Sequence, residues 1–533
     1  MAKRSKYTSI AAKFPIKGLE KRWGYQGQGP FSTVDCDNIW PTQWATGRER
    51  GGTRPGLRGA GPISFSSPLN WSEATWQSGT GTTGIRRGVA VASRWGVKVS
   101  YFAGLDFNSE DTTFTSTDPF TGANSDFASC TVYLQHIFFA IGGRELGVKV
   151  KPLPGLPTSV TTWDGDLEAI EGVVGEPPKR CGIAQTWGDR LVLAGDTENP
   201  HVVYMCRVGN PIDWDYSAVD AGAAWANSGG EDGKIGEPIT SLIPHNRDCL
   251  LVGCTDSLYV VRGNPKLQGQ KYQLSQTVGP LMQSAWCKSA DDSTWIFTRD
   301  GLYVMRPGCG EPPIAVSREM LPEDLTAIDP ARTTDFASIG YDTRWRGIHI
   351  YANRDGTDLN YFYDIQSGGF WPMSFSDTPR LAVNFKSLSS INRSGLVMVT
   401  SQGYSRQFDK TRPCEKPAYL WYGPFALGDP FTEGILLEVA SVLGSQTDNP
   451  DDTDPFRGYV KWEVHAGESP EQAYKNGQVF KGTEWKREGL NYTQNPAIRG
   501  TTCYIKVFND AYRAWTIEEI TLLSQLAGRR TVG

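Results

Sequence analysis

The residues best able to do chemistry are few and scattered. Only five histidines occur, His136, His201, His245, His349 and His465, and no two have the spacing of a helical or hairpin metal site. Of ten cysteines, Cys249 and Cys254 form the closest pair, as C-x4-C, and no second pair stands at metal-binding distance in the sequence. Buried free thiols of a reducing cytoplasm are therefore expected. Paired carboxylates could support glycoside hydrolysis, and Asp164, Asp166, Glu168 and Glu171 lie close in sequence. Nothing in the order of residues places any two of them across a cleft. No G-x-S-x-G elbow, H-E-x-x-H, P-loop or strand-linked G-x-G-x-x-G is present. The reading is of a protein that is not an enzyme, with no catalytic residue, no cofactor and no metal.

The elements that would carry such residues are strands. Between 30 and 412, short apolar or alternating runs recur behind polar turns, for example 183–208, 239–263, 283–306 and 336–365. They share an order: a strand of small and β-branched residues, a polar turn, a strongly apolar strand, a tight turn, and an aromatic strand. Asp300-Gly301, Asp355-Gly356 and Gln402-Gly403 supply the tight turns, since Asp-Gly readily adopts the positive φ angles of a two-residue hairpin. Thr255-Asp256-Ser257 serves the same purpose in another copy. The ends of two copies match, Arg207-Val208-Gly209-Asn210-Pro211 against Val261-Arg262-Gly263-Asn264-Pro265. A recurrence of this kind at blade length predicts a β-propeller of six to eight blades, with seven the best fit, because a lone four-stranded meander cannot cover both its apolar faces. An ordinary β-sandwich is the alternative, but it would not need so many similar hairpins in succession.

Ser289-Ala290-Asp291-Asp292-Ser293-Thr294-Trp295 is the nearest match to the S-x-D-x-G-x-T-W hairpin of sialidase-type propellers. It is shorter, lacks the glycine and occurs once, so it reads as a structural turn. Tyr363 to Trp371 resembles a kelch-type blade ending, an aromatic pair that packs a hairpin on its neighbour.

Three regions follow. Residues 1–29 form a basic N-terminal arm, in which Lys3, Arg4, Lys6, Lys13, Lys17, Lys21 and Arg22 stand against Glu20. The arm reads either as a solvated tail or as a segment that docks on an acidic neighbour or DNA phosphates. Residues 30–412 form the propeller. Residues 413–533 form a small β-rich, sandwich-like domain with a basic tail at Arg529 and Arg530. Ser469-Pro470-Glu471-Gln472 predicts a capped helix start inside it. The acids Asp448, Asp451, Asp452 and Asp454 read as a solvated loop. The formal net charge of −5 argues against a basic nucleic-acid binder and suits a wall that DNA slides past. The start MAKRSKYTSIAAKFPIK lacks an apolar signal core, and no run of about 18 apolar residues occurs, so a soluble protein made in the host cytoplasm is expected.

Several phrases carry a family resemblance. Gly47-Arg48-Glu49-Arg50-Gly51-Gly52-Thr53-Arg54-Pro55-Gly56-Leu57 follows Asp37-Asn38-Ile39, and Trp187 to Gly195 is followed by Tyr204 to Trp214. With Gly301-Leu302-Tyr303 and Gly403-Tyr404-Ser405-Arg406-Gln407-Phe408-Asp409, these phrases resemble the tail-nozzle or packaged-DNA-stabilisation propellers of short-tailed bacteriophages. The resemblance implies a virion protein that builds a homo-hexameric ring below the tail adaptor or portal. It also implies contact with tail fibres or spikes, retention of packaged DNA, and passage of double-stranded DNA without sequence specificity. A host-glycan-binding tail fibre or baseplate propeller is the second reading, with Trp163, Trp214 and Trp225 as stacking faces, and a propeller glycosidase or depolymerase is the third.

Overall fold

The computed structural model describes residues 7–43, 50–62, 72–78, 86–93, 96–102, 128–134, 136–142, 148–150, 160–162, 174–227, 235–267, 269–329, 335–385, 395–402, 404–444, 459–486 and 488–529. The chain is all-β, with many small antiparallel sheets and a single α-helix among these residues.

Seven of the sheets succeed one another along the chain as meanders. The first comprises Ser72–Ser78, Arg86–Ser93 and Gly96–Phe102. The next five open with Ala128–Tyr133, Cys181–Trp187, Ile239–Pro244, Trp286–Lys288 and Phe336–Asp342, and each has four strands. The seventh joins Pro379–Phe385, Gly395–Thr400 and Tyr404–Pro413 to a fourth strand from far upstream, Pro55–Pro62. The turn chemistry is local. Asp355 and Gly356, with φ of 51° and 80°, form a two-residue hairpin between Gly347–Arg354 and Thr357–Asp364. Thr255-Asp256-Ser257 connects Cys249–Cys254 to Leu258–Arg262 as expected.

The opening strands of neighbouring sheets lie side by side, and polar side chains seal the gaps. Ser129 Oγ accepts the backbone N–H of Ala184 at 2.5 Å. The Gln283 amide pairs with both backbone groups of Leu242, at 2.8 and 3.2 Å, as a strand would. Ser284 Oγ donates to the Ala337 carbonyl at 2.8 Å, and Ser338 Oγ accepts from Ala382 N at 3.0 Å. Pro379–Phe385 in turn packs against Ser72–Ser78, which packs against Ala128–Tyr133. A small hydroxyl or amide suits these places because each satisfies a buried backbone group where no ladder can reach it.

The C-terminal region is two facing sheets. One has the order Tyr7–Lys13, Ile517–Arg529, Thr432–Leu443, Gly489–Gly500, and the other Cys36–Asp37, Ala418–Ala426, Thr502–Asn509, Lys461–Gly467, Gln478–Lys481. Leu436, Val439, Ile520 and Leu522 face Leu420, Val464, Ile505 and Val507 in its interior. The helix Pro470–Asn476 starts at the expected cap: Ser469 Oγ accepts from Gln472 N at 3.2 Å, and the Gln472 side chain accepts from Glu468 N at 3.0 Å.

The N-terminal segment differs from the arm expected of 1–29. Tyr7–Lys13 is an edge strand of the C-terminal region, in register with Glu519–Gln525. The physical reason is alternation: Ile10 and Ala12 turn inward while Ser9, Ala11 and Lys13 stay exposed. Further on, Cys36–Asp37 joins the second facing sheet, and Pro55–Pro62 completes the seventh meander. One segment thus runs through both regions, and one continuous apolar core follows it, from Ile505 and Leu420 through Phe14 and Trp40 to Trp371, Ile348 and Trp295.

At the junction sits Arg54, fully buried and bonded through every donor. Its Nε donates to Asn38 Oδ1 at 2.8 Å, Nη1 to the Pro55 carbonyl at 2.9 Å and Glu415 Oε2 at 3.3 Å, and Nη2 to the Ser374 carbonyl at 2.8 Å and Glu415 Oε1 at 2.7 Å. Ser374 Oγ and the Asn38 amide both donate to Asp37 Oδ2, at 2.7 and 2.9 Å. Burial nonetheless pushes the Asp37 carboxyl up to about 6. Beside the guanidinium, Trp40 stacks on Phe362 with ring centres 4.6 Å apart and lies 5.8 Å from His349. His349 is buried, and neither ring nitrogen has a hydrogen-bond partner among the described residues. Burial, and then the Arg54 charge, drive its pKa down to about 3. Its contact with Asp342 at 3.9 Å is therefore no ion pair at neutral pH, and Asp342 itself is pushed up to about 6 by burial.

Two outcomes are expected. Arg54→Met strands the Glu415 carboxylate and Asn38 in the interior and should lower stability by about 3–5 kcal/mol, read as a drop in the urea midpoint, with Arg54→Lys recovering part of it. His349→Phe removes a group that the unfolded chain protonates below its ordinary value near 6.5 while the folded chain does not until about 3. The histidine costs stability as pH falls through that window, whereas the raised carboxyls of Asp37 and Asp342 oppose it between about 6 and 4. The variant should therefore gain on the parent by about 2 kcal/mol between pH 7 and pH 4.5, because only the histidine differs between them. A constant gap across that range, in urea titrations at both pH values, would refute the assignment.

Candidate functional site

The basic residues expected at the N-terminus do not converge. Lys3, Arg4 and Lys6 lie outside the described residues. Lys13 stands exposed on the edge strand opposite Glu519, and Lys17 is exposed in the turn that follows. Lys21 is paired within the chain, its Nζ 2.7 Å from Asp324 Oδ2. Arg22 reaches Glu319 at 4.0 Å and lies over the Trp23 ring. Two of the four described cations thus face acids of the segment 319–324, and all four remain exposed at the surface.

The meanders border a half-open cavity of about 470 Å³. Its described lining comes from the opening strands of five sheets, with Thr131, Gln185, Trp286, Lys288, Ser338 and Asn384 as its polar residues of note. Thr131 Oγ1 donates to Gln185 Oε1 at 3.2 Å and lies 3.0 Å from Thr186 Oγ1. Lys288 is half-buried, and desolvation lowers its pKa, with Asp292 in the next turn opposing. No carboxylate is among the described lining residues, so no acid-base pair is assembled there. A second cavity, about 430 Å³, lies between the edge strand Tyr7–Lys13, residues 28–32 and Tyr422–Phe425.

The remaining chemistry-bearing residues are structural in their surroundings. In the turn expected from Ser289 to Trp295, Asp291 Oδ2 accepts from Ser293 Oγ at 2.8 Å, and Trp295 Nε1 donates to Ser289 Oγ at 2.9 Å. Trp214 and Trp225 are buried at 1% and 6% exposure, which removes both as stacking faces for a sugar, and Trp163 lies outside the described residues. So do Asp164, Asp166, Glu168 and Glu171. Among the described residues no group of three or more His, Cys, Asp or Glu is placed to hold a metal ion, and no helix is long and apolar enough to cross a membrane.

The cysteines depart from the expectation of free thiols at one place. Cys249 and Cys309 form a disulfide between the fourth and fifth meanders, with Cα atoms 6.3 Å apart. The other eight are buried thiols outside any disulfide. Spacing in sequence could not show this pair, since 60 residues separate its members and the packing of two sheets brings them together. Sequence reasoning also missed Lys288 and the Arg54 cluster: Arg54 was visible only as part of a turn phrase, and Lys288 as one more strand residue.

No known family profile matches the chain, and no curated protein is detectably related to it in sequence. Among solved structures, the chain is similar to an extracellular domain assigned to a hybrid two-component system of B. thetaiotaomicron, at 12% identity and a TM-score of 0.40, over 83% of this chain and 48% of that one. The chain thus spans about half the length of that relative. It is also similar to the N-terminal domain of Nup159, at 9% identity and a TM-score of 0.36, over 66% of this chain and 95% of that one. A third likeness is to BBS1N, crystallised in complex with ARL6DN, at 11% identity and a TM-score of 0.35, over 68% and 97% of the two chains. Similarity at this level carries no functional inference.

Proposed function

We propose that the seven meanders close into a seven-bladed propeller, and that this propeller and the sandwich-like region form a non-enzymatic structural protein of a bacteriophage tail. In this reading six copies make a nozzle ring below the adaptor or portal in the virion, hold packaged DNA, and let it leave on infection. Tail fibres or spikes are its outer neighbours. The closure is supported by the strand Pro55–Pro62, which completes the seventh sheet and so joins the beginning of the repeat to its end. The tail assignment rests on the sequence resemblance. The net charge of −5 suits a channel wall that does not hold DNA.

The observation that carries the assembly role is the outer face of the sheet containing the edge strand. Cross-strand rows on that face read Lys13–Glu519–Val442–Leu490, Ala11–Thr521–Ala440–Tyr492, Ser9–Leu523–Glu438 and Tyr7–Gln525–Ile435–Arg499. Four of these fifteen positions are charged and their charges cancel. Leu490 and Tyr492 are 69% and 52% exposed, where a solvated sheet face would carry polar side chains. A neighbouring copy seated on this face would bury them.

Native mass spectrometry of the full chain at micromolar concentration is expected to give hexamers, and negative-stain images should show rings. Leu490→Arg with Tyr492→Glu should leave the circular dichroism unchanged and yield monomers. A parent protein that stays monomeric when mixed with tail adaptor, and is missing from purified particles, would defeat the reading.

A further inference from the structure

We propose that the cavity among the opening strands of the meanders is a binding site for a small ligand bearing an oxyanion, with Lys288 as its counter-charge. The cavity, about 470 Å³, has the size of a small-molecule pocket, for which roughly 300–1,000 Å³ is usual. Its described lining holds one cation and no anion. Lys288 has no carboxylate within ion-pair distance among the described residues, and Asp292 acts on it only through the longer-range field. A half-buried ammonium without a partner is costly, and an anion entering the cavity removes that cost.

The neutral lining is arranged to donate. Gln185 Oε1 is occupied twice, by Thr131 Oγ1 at 3.2 Å and by the Thr186 backbone N–H at 2.9 Å. That fixes the amide and leaves its NH2 group as the free end. Ser338 Oγ already accepts from Ala382 N at 3.0 Å, so its hydroxyl proton remains to be given. Phosphate or carboxylate oxygens would accept from such an amide and hydroxyl and carry charge opposite to that of Lys288, which lines the same cavity. A cation would instead call for carboxylates, and none is among the described lining residues. This site is independent of ring assembly, since the cavity belongs to each copy alone.

The test is isothermal titration of the full-length protein with inorganic phosphate and, separately, with citrate, against chloride at equal ionic strength. One equivalent per chain should bind for at least one of the two, and the anion preferred tells a phosphate ligand from a carboxylate one. Lys288→Met should weaken binding tenfold or more, while Lys288→Arg retains it, both with unchanged near-ultraviolet circular dichroism. No binding of either anion beyond chloride, or a Lys288→Met protein that binds as the parent does, would overturn the site.

Discussion

The Arg54 guanidinium is a full positive charge with no access to water, and such a charge is tolerated only where every donor is met and an anion lies alongside. Here five N–H groups find five bonds, supplied by Asn38, Pro55, Ser374 and Glu415. Those partners belong to three separate stretches of chain: the N-terminal segment, the link between the sixth and seventh meanders, and the link into the C-terminal region. A buried ion pair adds little net stability compared with apolar packing, so its effect is one of position. Any arrangement that moved one stretch by more than a hydrogen-bond length would leave a buried charge unpaired. The aromatic cluster of Trp40, Phe362, Phe375 and Phe408 fills the space around it, with Arg54 lying 4.7 Å from the Phe375 ring centre.

From that fixed point the segment 7–62 extends both ways. Toward the N-terminus it adds strands to both sheets of the C-terminal region, and toward the C-terminus it supplies the last strand of the seventh meander. The two regions are therefore not beads on a linker. They share one apolar core and one strap.

Within the meanders a different constraint governs. Opening strands of adjacent sheets lie too far apart for a continuous ladder, so their backbone groups look to side chains. Ser129, Gln283, Ser284 and Ser338 answer that need. The same choice of small polar residues makes the half-open cavity polar and leaves Lys288 as its one described charge. Packing and chemistry are thus linked: the residues that seal the sheets to one another also decide what the cavity can hold.

The sequence by itself determined the short-range features. Asp355-Gly356 specifies its hairpin because the positive φ angles are a property of those two residues. Ser469 specifies the helix start because its hydroxyl reaches an N–H three residues on. The all-β class and the succession of similar hairpins were legible for the same reason, since alternation and turn residues act over fewer than ten positions. Only the tertiary structure decided the rest. Nothing local in Tyr7–Lys13 names Glu519–Gln525 as its partner, Arg54 meets Glu415 across 361 residues, and Cys249 meets Cys309 across two sheets. Such pairings follow from where whole sheets come to rest, and that depends on the summed burial of many side chains rather than on the chemistry of any two.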